Sequence, residues 1–269
     1  MSIHRAILYR IILSRILKKL YTVIMSLNCN EINLILEELN LTNSWIQDII
    51  QPGYDTLAFY TYREGTAKTV LICTAQNSVR INETRKKITK NPKPLRFMEF
   101  LKSRIKGAKI ISCSQIGLER VIKIVLSHQS SENPEEFDVF NLYIKLWNNA
   151  ANVILCDKND LILETMFRRP EQYEVKDEVY IPPAPDPSKF EDSERFPVRD
   201  YKNAQEGQPE FASFNEFIDY WYSENARNLS RTSLLEKAVK WYNTNLSKLE
   251  SALNNLTSKQ ESFKNAGQF

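Results

Sequence analysis

The sequence has few of the residues that usually build metal centres or covalent frameworks. It contains only two histidines, His4 and His128, and no C-x-x-C pair. The four cysteines are widely spaced along the chain: Cys29, Cys73, Cys113 and Cys156. Zinc sites, disulfide frameworks and histidine-based triads therefore lack parts. We expect no metal and no other cofactor, and we expect a reducing, cytoplasmic compartment.

The N-terminal segment lacks an uninterrupted apolar run. Residues 1–24 look helical, but they carry five cations and no acid: Arg5, Arg10, Arg15, Lys18 and Lys19. These charges argue against stable membrane insertion, and no small-residue cleavage site for secretion follows them. Met25 begins an ordinary domain start, so we interpret residues 1–24 as a spurious upstream extension. A membrane-surface helix and an Arg-rich organellar presequence are the alternatives.

Acidic residues are scarce in one stretch of an otherwise balanced chain. The net charge is +3, yet residues 80–123 hold thirteen Lys or Arg residues against three acids. That stretch carries +10 and residues 1–24 carry +5, which leaves −12 on the rest. Such segregation predicts a surface that meets a polyanion, with a solvated lysine-rich face as the alternative.

The organisation from Met25 onward predicts a β-rich α+β domain. Of the 269 residues, 42% are hydrophobic, enough for one substantial core and an appendage. Asn28 or Asn30 can cap a helix that continues to about Asn40. A second, short helix is predicted over residues 95–105, after a basic loop. Apolar alternation and β-branched runs predict strands over residues 45–50, 56–62, 69–74, 109–114, 120–128, 137–147, 152–156 and 161–165.

The last third of the chain changes character twice. Six of the eleven prolines lie in residues 181–210, whereas residues 210–266 contain neither proline nor glycine. We therefore divide the chain into a domain over 25–181, a proline-rich connector over 182–212 and a coiled-coil helix over 213–269. Its heptad seam consists of Leu235, Val239, Tyr242, Leu246, Leu249, Leu253, Leu256 and Phe263. This seam needs a partner helix, either in a second molecule or in a longer chain, which is the interpretation we favour.

Several stretches in a fixed order resemble a known family. They are Gln51-Pro52, Asp55, "LICTAQNSVRIN", "NPKPLRFMEFLKSRIKGAKI", "QIGLERVIKI", "AANVILCDKNDLILE" and "VYIPP". Together they resemble the N-terminal domain of the NFACT family, and the heptad segment looks like the first helix of its coiled-coil arm. The resemblance implies a fold similar to the N-terminal domain of formamidopyrimidine-type DNA glycosylases. The family includes bacterial fibronectin-binding protein A and the ribosome-quality-control factors that hold tRNA on obstructed large subunits.

The resemblance also implies candidate RNA-binding residues. Glu119 and Arg120 match a family Asp-Arg pair implicated in handling tRNA, and Asn28 stands where the family has an acid. Arg80 and Asn152 match a recurrent arginine and asparagine, although the arginine that usually precedes the asparagine is missing here. An arginine can fork onto a phosphate while a neighbouring carboxylate orients it. An edge-strand ion pair is the alternative for Glu119 and Arg120.

A second candidate group flanks a loop bent by two prolines. Its members are basic residues at short intervals: Lys86, Lys87, Lys90, Lys93 and Arg96. Cations spaced in this way can follow a phosphate backbone with little readout of base sequence.

The resemblance implies a binding protein rather than an enzyme. Glycosylases of the similar fold use an N-terminal proline as nucleophile, whereas this chain has Met-Ser at either candidate start. We therefore expect an RNA-binding adaptor of ribosome-associated quality control, with tRNA and the large ribosomal subunit of stalled complexes as partners. The alternative is a surface adhesin that binds fibronectin after export by a non-classical route.

Overall fold

The computed structural model describes residues 26–130, 133, 135–186, 188, 196–202 and 209–266. The interpretation of residues 1–24 lies outside this part of the chain, as do much of the predicted connector and the last three residues. The described residues form nine strands, three α-helices and one short 3-10 helix. The predicted α+β class, rich in β-structure, is confirmed.

All nine strands belong to one antiparallel sheet with the order β4-β3-β2-β1-β5-β6-β7-β8-β9. Their bounds are β1 Trp45–Gly53, β2 Thr56–Arg63, β3 Thr66–Cys73, β4 Arg80–Glu83, β5 Lys109–Gln115, β6 Val121–Gln129, β7 Phe137–Lys145, β8 Asn152–Asp157 and β9 Ile162–Thr165. Strands β1 and β5 share a single partnered position, Trp45 with Lys109. The sheet therefore consists of two meanders that meet at a narrow junction.

The first helix, α1, spans Cys29–Leu39. Asn28 is its N-cap and forms a capping box with Glu31, and Asn40 ends the helix in the left-handed conformation. Its apolar face, which includes Ile32 and Ile35, is buried against the sheet, where α1 contacts β4 and β5. The sequence predicted this helix from its cap and its apolar spacing.

The second helix, α2, spans Arg96–Ile105 and packs against β1, β6 and β9. Its inward side chains, Phe97, Leu101 and Ile105, are buried at every helical turn. The two helices thus cover different sets of strands, and apolar residues of both meanders form the core between them.

Strand β4 is absent from the sequence-based prediction, which ran from the third strand directly into the basic loop. It has only four residues, half of them charged, so it lacks a period-2 signal of useful length. Its existence depends on distant partners, because it pairs with β3 and the Glu83 amide donates to Asn215 Oδ1 at 2.7 Å.

The third helix, α3, spans Phe214–Ala266. Its residues up to Glu224 belong to the same compact unit as the sheet, and there Phe214, Ile218 and Tyr222 are buried. The Glu38 carboxylate accepts hydrogen bonds from the Phe214 and Asn215 amides, which satisfies the helix start. From Asn225 the described helix belongs to a second unit. Large apolar side chains of the predicted seam, such as Leu249 and Leu253, are exposed there. The division of the chain at 181, 212 and 213 stays a prediction.

Candidate nucleic-acid interface

The turn between β5 and β6 positions Glu119 and Arg120. The Ile116 amide donates to the Val121 carbonyl, and the Gln115 side chain donates to the Glu119 carbonyl at 2.8 Å. Gly117 has φ of +54°, and a Cβ there would lie 2.9 Å from Pro185 Cβ. Only glycine satisfies both the backbone conformation and the close approach. The connector residue Pro185 therefore packs directly on the turn that carries the predicted pair.

Arg120 is half-buried, and two of its nitrogen atoms are buried without a hydrogen-bond partner among the described residues. These atoms are Nε and Nη2. Burial lowers the pKa of Arg120 from its ordinary value, while the nearby Tyr222, Cys29 and Glu31 oppose that change. An arginine keeps its charge even so. Buried charged donors without acceptors are costly, so this guanidinium is chemically suited to bind an anion.

Two further arginines belong to the same region, and with Arg120 we call them the arginine cluster: Arg80, Arg120 and Arg199. The Arg80 guanidinium carbon lies 4.2 Å from the centre of the Tyr222 ring. Arg199 donates from Nη2 to Glu31 Oε2 at 2.6 Å. Burial raises the pKa of Tyr222 to about 12, while Arg80 and Arg199 act in the opposite direction. Tyr222 therefore stays neutral at physiological pH and does not offset the three positive charges.

The N-terminus of α1 supplies the acid and the polar groups around this cluster. Glu31 is buried, and its carboxylate pairs with Arg199. The Asn28 side-chain amide donates to the Pro197 carbonyl at 2.9 Å, and that of Asn30 to the Phe196 carbonyl at 2.8 Å. Residues 196–202 of the connector are thus fastened across the helix start. The structure brings Asn28, Arg80 and Arg120 together here, with the half-buried Glu119 adjacent in the turn.

The proline-bent basic loop makes a separate set of contacts. Lys90 Nζ lies 3.7 Å from Asp48 Oδ2, and Arg96 pairs with Glu164. Lys86 borders a cavity between β4 and the start of α3. All five predicted loop cations are exposed: Lys86, Lys87, Lys90, Lys93 and Arg96. They are therefore available to a polyanion, although two of them already face a carboxylate.

Asn152 lies in a buried polar network of the second meander. It is fully buried, donates to Glu174 Oε2 at 2.7 Å, and exchanges hydrogen bonds with the Phe167 backbone. Glu174 in turn pairs with the buried Lys145. Because Asn152 is fully buried, it can affect RNA binding only through these neighbouring residues. The predicted role of Asn152 in binding stays a prediction.

Arg199 and Tyr222 are absent from the sequence-based candidates. Arg199 belongs to a connector whose composition predicts only an extended chain. For Tyr222 a signal exists, because Phe214, Ile218 and Tyr222 recur every four residues and predict a buried helix face. Neither pattern shows which residues of the domain these side chains contact.

Two further observations concern the described residues as a whole. Among the described residues, no group of three or more His, Cys, Asp or Glu side chains is placed to hold a metal ion. Across that same part of the chain, every helix is too short or too polar to cross a bilayer.

A family comparison decides the relationship of the domain. The model of the NFACT N-terminal and middle domains matches residues 31–202. The chain belongs to the NFACT family. The resemblance drawn from the sequence is thereby confirmed. No curated protein matches the chain.

Three solved structures share the fold. The fibrinogen-binding protein from Staphylococcus aureus aligns with a TM-score of 0.51 and 22% identity, over 61% of this chain and 58% of that one. The N-terminal part of the fibronectin/fibrinogen-binding protein from Streptococcus suis gives 0.55 and 18%, over 77% and 84%. The N-terminal domain of fibronectin-binding protein PavA from Streptococcus pneumoniae gives 0.52 and 22%, over 73% and 80%. The chain thus spans little more than half of the staphylococcal protein.

Proposed function

We propose that this chain is an RNA-binding adaptor of ribosome-associated quality control that binds tRNA and the large ribosomal subunit of stalled complexes. The observation that carries the proposal is Arg120, whose buried Nε and Nη2 lack acceptors in the described structure. A phosphate offers two oxygens in the geometry that a guanidinium fork matches. A bound RNA backbone would therefore satisfy the donors that the folded chain leaves open.

The charge around Arg120 supports an anionic ligand. The arginine cluster contributes three positive charges, and the contacting carboxylate is that of Glu31. Glu31 already accepts hydrogen bonds from Arg199 and from the Asn28 amide, and neither Nε nor Nη2 of Arg120 donates to it. The exposed lysines of the basic loop add long-range attraction, which raises association rates without selecting a sequence.

The test replaces Arg120 and a peripheral cation in parallel. We expect Arg120→Ala to weaken binding of deacylated tRNA at least tenfold, because charge-assisted hydrogen bonds contribute about 1.5–3 kcal/mol each. Arg120→Lys should recover only part of the loss, since an ammonium cannot fork. Filter binding at fixed salt gives the dissociation constants, and co-sedimentation with large subunits tests the assembly.

The matched control is Lys93→Ala, an exposed loop cation, for which we expect about a twofold change. Equal losses of tRNA affinity in Arg120→Ala and Lys93→Ala would indicate that binding depends only on nonspecific electrostatic attraction. That result would contradict the proposed role of Arg120.

A second candidate function is binding of fibronectin. It is favoured by the names of the three structural neighbours, which describe fibronectin- or fibrinogen-binding proteins. Capture of the chain by immobilised fibronectin, without retention by tRNA or large subunits, would select this candidate instead.

A further inference from the structure

The outer face of the sheet carries a row of cross-strand neighbours that includes no residue of the arginine cluster. Across β3, β2, β1, β5 and β6 the successive partners are Ala67, Tyr62, Trp45, Lys109 and Ser127. The next residues along three of these strands, Thr61, Ile46 and Ile110, are buried in the core. Because side chains alternate between faces, the row lies on the opposite, solvent side.

Three aromatic rings share this solvent face. Trp45 is 46% exposed and Tyr62 is 43% exposed, and they lie directly opposite each other on β1 and β2. Directly opposed side chains are about 5 Å apart at Cβ. Tyr60 lies two residues before Tyr62, hence on the same face and about 6.6 Å further along the strand. The rings therefore form a short platform rather than an isolated pair.

Cations border the platform at both ends. Lys109 is the cross-strand partner of Trp45. At the other end Asp48 lies opposite Tyr60, and it is contacted by Lys102 Nζ at 2.8 Å and by Lys90 Nζ at 3.7 Å. One carboxylate is thus contacted by two lysines, and the third lysine, Lys109, lies beside Trp45. The Lys90 side chain is 72% exposed, so it can exchange Asp48 for another anion at little cost.

We propose that this surface, the aromatic face of Trp45, Tyr60 and Tyr62 with Lys90, Lys102 and Lys109, binds an unpaired stretch of RNA. Bases would stack on the rings, and phosphates would lie against the lysines. The inference rests on the proposed function in taking RNA as the ligand. A duplex does not fit, because its bases are stacked and paired inside the helix, whereas unpaired bases present their faces.

Charge selects RNA over a protein partner. The centres of protein–protein interfaces are depleted of charged residues, and lysine is disfavoured at them. Here lysines border aromatic rings on one face, the combination found in surfaces that bind single strands. A cross-strand aromatic pair also stabilises a sheet, so the experiment must separate stability from binding.

The binding test uses the full chain and a fluorescein-labelled oligouridylate of eight nucleotides, measured by anisotropy. We expect Trp45→Ala and Tyr62→Ala each to weaken binding about tenfold, the loss of one stacked base. Trp45→Phe should stay within about threefold, since a ring remains. The control is Phe137→Ala, which removes a ring that is 64% exposed on β7, outside the aromatic face. It should leave the affinity unchanged, and an eight-base-pair RNA duplex should bind independently of Trp45.

Tryptophan fluorescence provides a second readout that survives if an alanine variant fails to fold. The chain has four tryptophans, and only Trp45 belongs to the aromatic face. Oligouridylate should quench the fluorescence of the unmodified chain, and Trp45→Phe should lose most of that quenching. The inference is overturned if Trp45→Phe retains the quenching, or if Trp45→Ala and Tyr62→Ala both bind with unchanged affinity. In that case the aromatic face binds a protein partner or only stabilises the sheet.

The two proposals fail separately. In one outcome, Arg120→Ala loses tRNA binding while Trp45→Ala and Tyr62→Ala bind oligouridylate as the unmodified chain does. That result would contradict RNA binding by the aromatic face and would still support the adaptor function. The reverse pattern would support single-strand binding and remove the role of Arg120.

Discussion

The buried Lys145 and the half-buried Arg120 differ in whether their charged nitrogen atoms have a partner within the described structure. Lys145 is buried, yet its ammonium pairs with Glu174, which also accepts from Asn152. Arg120 has two buried nitrogen atoms without acceptors in the described structure. A buried charge that is paired serves the fold, whereas one that is left open costs stability and is retained where a ligand completes it. This contrast distinguishes the structural role of Lys145 from the binding role that we propose for Arg120.

The structural role of Lys145 gives a prediction of stability. Lys145→Met should lower the free energy of unfolding by about 3 kcal/mol, because it leaves the Glu174 carboxylate buried without its main cation. The double variant Lys145→Met/Glu174→Gln should lose clearly less, since it leaves no buried carboxylate without its main cation. Urea unfolding followed by circular dichroism measures both. Lys158→Met, at an exposed hairpin position, is the control, and equal losses in the single and double variants would contradict the argument.

At the scale of elements, the start of α1 serves the helix and the candidate site together. Asn28 accepts from the Glu31 amide and donates to the Pro197 carbonyl, so one side chain caps the helix and holds the connector. Glu31 closes the capping box and pairs with Arg199. The surroundings of Arg120 are therefore set by secondary-structure chemistry, and small changes in the cap should be felt in the site.

Replacement of the cap separates these two roles. Asn28→Ala should cost about 1 kcal/mol of unfolding free energy, the usual loss for a missing N-cap. Asn28→Asp should stay within about 0.5 kcal/mol, because aspartate caps as well as asparagine and suits the helix dipole. Chemical denaturation of the two variants at pH 7 gives the comparison. An equal loss in both would show that the bond to Pro197, which each variant lacks, contributes more than the cap.

At the scale of the whole molecule, buried tyrosines make the fold sensitive to alkali. Burial raises the pKa of Tyr143 and of Tyr180 above the ordinary value, and a hydrogen bond to Asp160 acts in the same direction on Tyr143. Burial likewise raises the pKa of Tyr222 to about 12. Above pH 10 the unfolded chain releases these protons while the folded chain retains them. Stability present below pH 10 is therefore lost as the pH rises toward 12.

The alkaline response is testable at one tyrosine. Tyr222→Phe should show a shallower fall of unfolding free energy between pH 10 and 12 than the unmodified chain, because one retained proton is removed. The measurement is urea unfolding at several pH values, read as a slope rather than as an absolute stability. Tyr54→Phe, at a strongly exposed position, is the comparison variant. Parallel slopes for all three proteins would exclude Tyr222 as a contributor.

Much of the architecture can be predicted from residues that are close together in the sequence. A cap at Asn28 or Asn30, followed by apolar residues at helical spacing, predicted α1, and Gly117 marked the tight turn before Arg120. Six of the eight predicted strands agree with observed ones to within two residues at both ends. The first ends three residues later, at Gly53, and the third begins three residues earlier, at Thr66. Strand β4 was missed, because four residues with two charges carry no periodic signal and depend on β3 and Asn215 for their pairing.

The sequence alone determined the helix caps, the hairpins, the segregated basic stretch and the family, because these depend on residues close together in the chain. Only the tertiary structure decided which charges meet. It placed Tyr222 near Arg120, about 100 residues away in sequence, and it paired Arg199 with Glu31. It also buried Asn152 and Lys145 around Glu174. It also aligned Trp45 with Tyr62 and Lys109 across three strands. Strand order and register set such encounters, and no local pattern specifies them.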